Sequence, residues 1–339
     1  MNPSLTFLLP FRNAGEHLEE ALLSLQAQTL GDWACVLVDD GSEDGGYEIA
    51  QRFRKKDGRF RLLRTGGLGI ARALQKGLEG IDSPLVARMD ADDRAAPERL
   101  RLQLEVFREG GDRLAVVDGA CRFFRDGGEV PEGMRLYQDW VNGICEEEDF
   151  DAAFLLECPV VHPAATIRRS ALLAVGGYRD GDFPEDFDLW LRLREKGFAF
   201  RKVPSCCVEM RDGLDRATRT DPRYRRGAFV RLAQDYVLRN FALERPFALW
   251  GAGRGGKPWL RQLMEAGKPP AFLVDVDPKK LGRKVHGIPV CPPEALREKA
   301  PAFCLVAVGA REAGPLIREE IARLRPMWRE GRDWWRVVT

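Results

Sequence analysis

Four short apolar runs, at residues 5–10, 33–38, 60–63 and 84–87, are separated by stretches in which apolar residues recur every three or four positions. Runs of that length suit buried strands, and the intervening period is that of an amphipathic helix. Strand and helix alternating at this spacing predict a parallel, doubly wound α/β sheet, whose ligands lie beyond the carboxyl ends of its strands. Two of the runs end in acids. The second leads into Asp39-Asp40-Gly41-Ser42, and the fourth into Arg88-Met89-Asp90-Ala91-Asp92-Asp93. Asp39 or Asp40 and the pair Asp90/Asp92 are therefore expected to line one crevice, although about fifty positions separate them.

If the fourth strand runs on to Asp90, alternate residues share a face and Asp90 and Asp92 point the same way. Two neighbouring carboxylates repel each other unless a cation lies between them, and an all-oxygen donor set suits Mg²⁺ or Mn²⁺. A metal held by only one or two protein carboxylates keeps positions free for phosphate oxygens. The competing reading is a polar loop whose acids cap the next helix, with Asp93, Pro97 and Glu98 in that role. Gly66-Gly67-Leu68-Gly69 enters a helix and offers backbone N–H groups to an anion, with Arg72 one turn in as a bidentate partner. A flexible connection with a solvated arginine would read the same way.

The rest of the first two thirds is less regular. Asn13 and Glu16 form a capping-box pattern before a helix carrying Leu18, Ala21, Leu22 and Leu25. Residues 116–124 alternate like an edge strand, and 159–167 read as a strand-like piece containing His162, one of three histidines. His162 suits a structural hydrogen bond or a substrate contact. Asp182-Phe183-Pro184-Glu185-Asp186 opens a helix with Phe187, Trp190, Leu191 and Arg194 on one face and Gly197 as its stop. Acids in a first helical turn are favoured by the helix dipole alone, but a carboxylate there can also take a proton from a bound hydroxyl.

A chain of 339 residues is long enough for about two domains, here residues 1–243 and 244–339. The formal net charge of +1 gives no electrostatic case for nucleic acid or an anionic surface. The eight cysteines contain no Cys-x-x-Cys pair, and several sit in apolar runs, as buried thiols of a reducing compartment do. No basic-then-apolar leader opens the sequence, and no apolar run approaches the ~20 residues of a membrane span. A cytoplasmic protein is expected, which peripheral attachment at the inner membrane face would also satisfy.

Taken together these motifs resemble the bacterial family-2 glycosyltransferases of the GT-A fold, over roughly residues 4–240. The resemblance is carried by Leu9-Pro10-Phe11-Arg12-Asn13, Val38-Asp39-Asp40-Gly41-Ser42, Gly69-Ile70-Ala71-Arg72, Asp90-Ala91-Asp92-Asp93, Gly176-Gly177-Tyr178 and Glu185-Asp186-Phe187-Asp188-Leu189-Trp190. It implies a mixed, doubly wound sheet that binds a nucleotide-diphosphate sugar. Pro10, Phe11, Arg12, Asp39 and Asp40 would then hold the base, Arg72 the diphosphate and Asp90 the ribose. Asp92, with Asp90, would ligate Mg²⁺ or Mn²⁺, Asp186 would be the general base and Glu185 would position the acceptor, with His162 and Trp190 as further acceptor contacts. One departure is that Asn13 stands one place later than the family's usual asparagine. The implied reaction is metal-dependent, inverting, single-displacement transfer of a sugar to a hydroxyl of a saccharide, lipid-linked or polysaccharide precursor.

From residue 245 the pattern begins again. A strand at 247–250, the Gly251-x-Gly253-x-x-Gly256 turn and a second strand ending in Asp275 suggest a nucleotide-binding βαβ unit. The segment resembles the small Rossmann-like domain of bacterial sugar acyltransferases. Gly251, Gly253, Gly256 and Asp275 would form a second nucleotide site, unless the glycines serve only tight packing. Trp334 and Trp335 suit an edge strand, a homodimer contact or an interfacial membrane patch. Two rivals to the transferase are a sugar nucleotidylyltransferase and a nucleotide-sugar sensor with an inactive site. The first should carry a glycine-rich Arg-Lys loop after its first strand, which Leu9-Pro10-Phe11-Arg12 is not, and retained Asp92 and Asp186 argue against the second.

Overall fold

A computed structural model of the chain describes residues 3–213, 216–310 and 312–339. In chain order its elements are β1 (Leu5–Phe11), α1 (Leu18–Gln26), β2 (Trp33–Asp39), α2 (Gly46–Lys56), β3 (Phe60–Arg64), α3 (Ile70–Glu79), β4 (Leu85–Arg88), β5 (Arg94–Ala95), α4 (Arg99–Glu109) and β6 (Leu114–Phe124). There follow α5 (Glu132–Asn142), α6 (Glu147–Ala153), β7 (Thr166–Arg168), α7 (Arg169–Ala174), α8 (Glu185–Glu195), β8 (Ala199–Arg211), α9 (Ala217–Thr220) and α10 (Arg226–Asn240). The last elements are β9 (Ala248–Trp250), α11 (Gly256–Glu265), β10 (Phe272–Val274), β11 (Lys284–Val285), β12 (Ile288–Cys291), α12 (Ala295–Glu298), β13 (Cys304–Val306), α13 (Ala313–Leu324) and β14 (Trp334–Arg336). Two compact units result, one of residues up to 147 with 159–223, the other of 148–158 with 224–339.

The first unit is built on an eight-stranded sheet in the order β3-β2-β1-β4-β7-β6-β8-β5. Its β3-β2-β1-β4 half is parallel, as the strand–helix spacing predicts. Beyond β4 the regular alternation ends. The short β7 runs antiparallel to both β4 and β6, and β5 antiparallel to β8, so the sheet is mixed. Two reversals cancel, and β8 is parallel to β6, so β1, β2, β4, β6 and β8 all finish at one edge. That edge gathers Phe11, Asp39, Arg88, Phe124 and Arg211. Edge-to-face aromatic contacts run across the sheet's buried face, from Phe7 to Trp33 at 5.8 Å and from Trp33 to Phe60 at 5.6 Å.

Three local expectations change. Residues 116–124 are not an edge strand: β6 lies between β7 and β8 and is bonded to β8 along its length. Its polar Asp118 faces no solvent, because a fully buried Lys202 lies 2.8 Å away, and the amides of Gly119 and Val161 complete the carboxylate's bonding. Of the 159–167 piece only Thr166 and Ile167 are strand, at the start of β7, and His162–Ala164 is a 3₁₀ turn. Asn13 caps no helix. With φ of 53° it turns its Oδ1 to the amide of Glu43 at 2.9 Å, and α1 begins later, at Leu18.

The second unit holds a six-stranded sheet in the order β11-β12-β10-β9-β13-β14, parallel except for the β11–β12 hairpin. Trp250, Phe272, Leu296, Ile321 and Trp334 pack in its core. The division of the chain falls earlier than residue 243, and hydrogen bonds give the reason. Gln234 of α10 donates to the Pro258 carbonyl at 3.2 Å, and Val338 donates to the Leu155 carbonyl at 2.6 Å, so both α10 and residues 148–158 belong with the second sheet. Trp334 and Trp335 are in the edge strand β14, paired with β13. Among the described residues no helix is long and apolar enough to cross a membrane.

Candidate active site

The acid cluster forms in the turn after β4. β4 ends at Arg88, so it is the turn, not strand alternation, that brings Asp90 and Asp92 together. Asp93 joins them, and one carboxylate oxygen from each lies within 4.8 Å of the others. Asp93 caps no helix: it is buried and accepts a hydrogen bond from the Arg211 amide at 2.9 Å. Arg211 Nε in turn donates to the Asp92 carbonyl at 3.1 Å, and its guanidinium also pairs with Glu20 and Asp126. Burial and then the charge of Asp90 raise the pKa of Asp92, and burial followed by the charges of Asp92 and Asp90 raises that of Asp93 well above the usual range. Clustered carboxylates whose ionisation is this unfavourable fit a hard divalent cation, which would restore their charged forms.

Arg88 ties this cluster to its surroundings. Its guanidinium is buried and meets Asp90 Oδ1 at 2.6 Å. Its backbone is fixed by a second buried arginine, Arg99, which donates to the Arg88 carbonyl at 2.7 Å and the Pro163 carbonyl at 2.8 Å. Neither arginine was singled out from the sequence. The available signal was a cation at the end of an apolar run, immediately ahead of three acids.

On the β1–β2 side the two aspartates differ. Asp39 is fully buried, opposite Phe11 on one side and Arg64 on the other. Its Oδ1 accepts the Ser42 amide at 2.9 Å, while Arg64 Nε lies 3.1 Å from Oδ2 without the alignment of a hydrogen bond. That oxygen has charge compensation but an unfilled acceptor position. Asp40 is held by three donors: Thr65 Oγ1 at 2.5 Å and the amides of Leu68 and Gly69 at 2.7 and 2.8 Å. Burial raises its pKa, but these three donors and the charge of Arg12 outweigh that and hold it below the usual carboxylate value. The anion that the glycine-rich turn holds is thus the chain's own Asp40, which corrects the expectation of a free phosphate cradle there. Pro10 and Phe11 are buried, the Phe11 ring in the core, so of the 10–12 segment only Arg12 is exposed. Arg72 is exposed and pairs with Asp180 at 2.7 Å.

The helix α8 brings Glu185 and Asp186 to the same region. Burial, followed by the like charge of Glu185, pushes the Asp186 pKa up to about 7, against the lowering effects of the Phe187 amide and Arg88. Asp186 is half-buried by accessible area, and Glu185 is buried. Arg88 feels the charges of Asp90, Tyr178 and Glu185, so one cation links the acid cluster to the head of α8. Tyr178, part of a motif noted in the sequence but given no role there, is pinned on both sides: its amide donates to Gln75 of α3 at 2.9 Å, and its hydroxyl meets His162 Nε2 at 3.0 Å. Gly177 beside it has φ of 70°, which favours glycine, and a Cβ there would also displace the Gln75 amide.

Two expected acceptor contacts are corrected. Trp190 is wholly buried, edge-on to His162 and Phe200, because the apolar face of α8 turns inward. His162 is buried too and bonded to Tyr178, and burial, with the charge of Arg88, lowers its pKa well below 6.5. Both support the site from behind. Gly251, Gly253 and Asp275 line a cavity in the second unit, whereas Gly256 serves packing, since its Cβ would lie 1.7 Å from the Gly251 carbonyl.

A curled mixed sheet whose strands deliver acids to one edge is the architecture of GT-A nucleotide-sugar transferases, and solved structures agree. S. aureus TarS 1-349 in complex with UDP-GlcNAc superimposes with a TM-score of 0.52 at 16% identity, over 69% of this chain and 66% of that one. The mannosyltransferase PcManGT from Pyrobaculum calidifontis, in complex with GDP-Man and Mn²⁺, gives 0.54 at 16%, over 79% and 70%. These likenesses are of fold. Residues 6–176, half of the chain, match the model of glycosyl transferase family 2, and the chain belongs to that family: it is a glycosyltransferase. Amylovoran biosynthesis glycosyltransferase AmsE of Erwinia amylovora is 28% identical over 201 residues, 59% of this chain and 72% of AmsE.

Proposed function

We propose that the chain transfers a sugar from a nucleotide-diphosphate donor to a hydroxyl acceptor, with a divalent cation and inversion at the anomeric carbon. The observation that carries this is Asp186, whose proton affinity lies near neutrality and whose surroundings reach the Asp90 carboxylate through Arg88. A base is most effective with a pKa near the working pH, and Asp186 can accept the proton of an attacking hydroxyl while Glu185 orients the acceptor. A single attack from the side opposite the departing diphosphate inverts the sugar. Asp92 and Asp90, with Asp93, would hold Mg²⁺ or Mn²⁺, which when bound neutralises the charge developing on the diphosphate. Asp39, with its unfilled acceptor oxygen, is suited to a base N–H, and the exposed Arg12 and Arg72 to the donor's anionic part. The nucleotide-sugar and Mn²⁺ complexes of the two structural neighbours support such a donor and cation, and the amylovoran pathway of AmsE supports a saccharide or lipid-linked acceptor.

The test is transfer by wild type and Asp186→Asn with saturating donor and Mn²⁺, with product configuration read by NMR. The expected result is an inverted product and a loss in kcat of about 10²–10⁴-fold in the variant, with donor affinity retained. A retained configuration, or an Asp186→Asn enzyme as fast as wild type, would overturn the assignment.

A further inference from the structure

The geometry points to a second ligand site: the cavity of the second unit binds a nucleoside diphosphate, free or as its sugar ester, without a divalent cation. The cavity measures about 950 Å³ and lies at the carboxyl ends of β9, β10 and β13. β9 is central in this sheet, with β10 on one side and β13 on the other, so the crevice at its end is the point where the strand order switches direction. Ligands of open α/β sheets gather at that point, and ligand pockets span about 300–1,000 Å³.

The glycines of the turn divide into two roles. A Cβ on Gly251 or Gly255 would lie 2.5 or 2.8 Å from the Ala307 carbonyl, so those two allow the turn to pack against the end of β13. Gly253 is different: its Cβ would touch only the Lys280 ammonium, at 3.5 Å, and its backbone otherwise opens to the cavity. Packing alone would not require a glycine there.

The charges differ from those of a metal site. Four cations line the cavity, Arg226, Arg254, Lys280 and Arg323, against Asp275, Glu319 and Glu320. Glu320 is paired with Arg323, and Arg254 has no ion-pair partner among the described residues. Asp275 already accepts from the amides of Ala252 and Asp277 at 3.0 Å each and from Lys280 at 2.9 Å. A carboxylate has about four acceptor positions, so it retains room for one ribose hydroxyl but needs no cation. An anion here would be met by Arg254 and the turn's backbone.

The walls account for the rest of the ligand. Val276 and Leu316 are 68% and 66% exposed, among the most open large apolar side chains of the described residues, and both line this cavity. Val276 directly follows Asp275, and Leu316 projects from α13. Apolar walls beside a hydroxyl acceptor and a free arginine suit a heterocyclic base, a ribose and a diphosphate, in that order.

Isothermal titration of the full chain with UDP, GDP, dTDP, ADP, UDP-GlcNAc and inorganic diphosphate, each in EDTA and in Mn²⁺, tests this. The expected result is saturable binding of at least one of the nucleotides in EDTA, which Asp92→Ala retains and which Ala310→Trp and Arg254→Glu each weaken at least tenfold. Ala310 is an exposed residue of the cavity rim, so its replacement is expected to leave Mn²⁺-dependent binding unchanged. Absence of nucleotide binding in EDTA, EDTA binding indifferent to both cavity variants, or inorganic diphosphate binding as tightly as the nucleotides would overturn the proposal. Loss of the Mn²⁺-dependent component alone would instead bear on the transferase site.

Discussion

Each of the two units ends its parallel strands at an open edge, yet the two edges carry opposite chemistry. In the first, strands deliver acids: Asp39 closes β2, and Asp90, Asp92 and Asp93 follow β4, crowded within one turn. In the second, β9 runs into glycines, and of the two acids that follow β10, Asp275 and Asp277, it is Asp275 that lines the cavity: burial works to raise its pKa, but two amides and Lys280 hold it below the usual carboxylate value. Topology therefore decides where a ligand goes, while the residues just past the strand ends decide how its phosphates are met. Crowded acids call for a metal between protein and phosphate, whereas glycines and arginines contact it directly.

The largest effect should come from removing the feature that sets the first edge apart. Asp92→Ala is expected to lower Mn²⁺-dependent transfer on the order of 10³-fold, since a metal supplies several kcal/mol to a developing diphosphate charge. Adding EDTA to wild type should do the same. Transfer that continues in EDTA would break the comparison, because the first edge would then handle phosphate as the second is proposed to.

Next comes the glycine turn of the second edge. Gly251 has φ of 127°, and a Cβ there would press on the Ala307 carbonyl, so Gly251→Ala is expected to cost on the order of 1–3 kcal/mol locally. Hydrogen exchange followed by mass spectrometry should show faster exchange in β9 and β13 with protection in β1 and β4 unchanged. Uniformly unchanged exchange would mean that the turn is not held by that contact.

The comparison also separates what a sequence discloses from what it conceals. The strand–helix alternation up to residue 88, which sets the ends of β2 and β4, and so Asp39 and the turn of Asp90 and Asp92, along one sheet edge, follows from period and parallel pairing. What stayed hidden depends on long-range partners. Asp93 looks like a helix cap until the Arg211 amide, far along the chain, is found on it. Residues 116–124 look like an edge strand until β8, with Lys202 against Asp118, is found alongside them. Trp190 and His162 look available because a helix face and a lone histidine reveal nothing of which side is buried. The glycine-rich turn after β3 looks like an anion cradle, and is one, but for Asp40.

The smallest effect is also the most discriminating, because it concerns a carboxylate pair that no metal is needed to explain. Glu185 and Asp186 lie at the head of α8, where the helix dipole would favour their ionised forms, yet burial and mutual repulsion leave Asp186 protonating at about 7. Only the ionised form can take a proton, so transfer by the wild type should fall as pH drops through about 7. The groups acting on Asp186 are Glu185, which raises its pKa, and Arg88 with the Phe187 amide, which lower it. Glu185→Gln removes the repelling charge and leaves the lowering groups in place. The acid limb of kcat/KM should therefore move to lower pH, and Arg88→Met, which removes an attracting charge, should move it higher. A limb that stays fixed in both variants would show that the titration seen in turnover belongs to another group, and Asp186 would lose its place as the base.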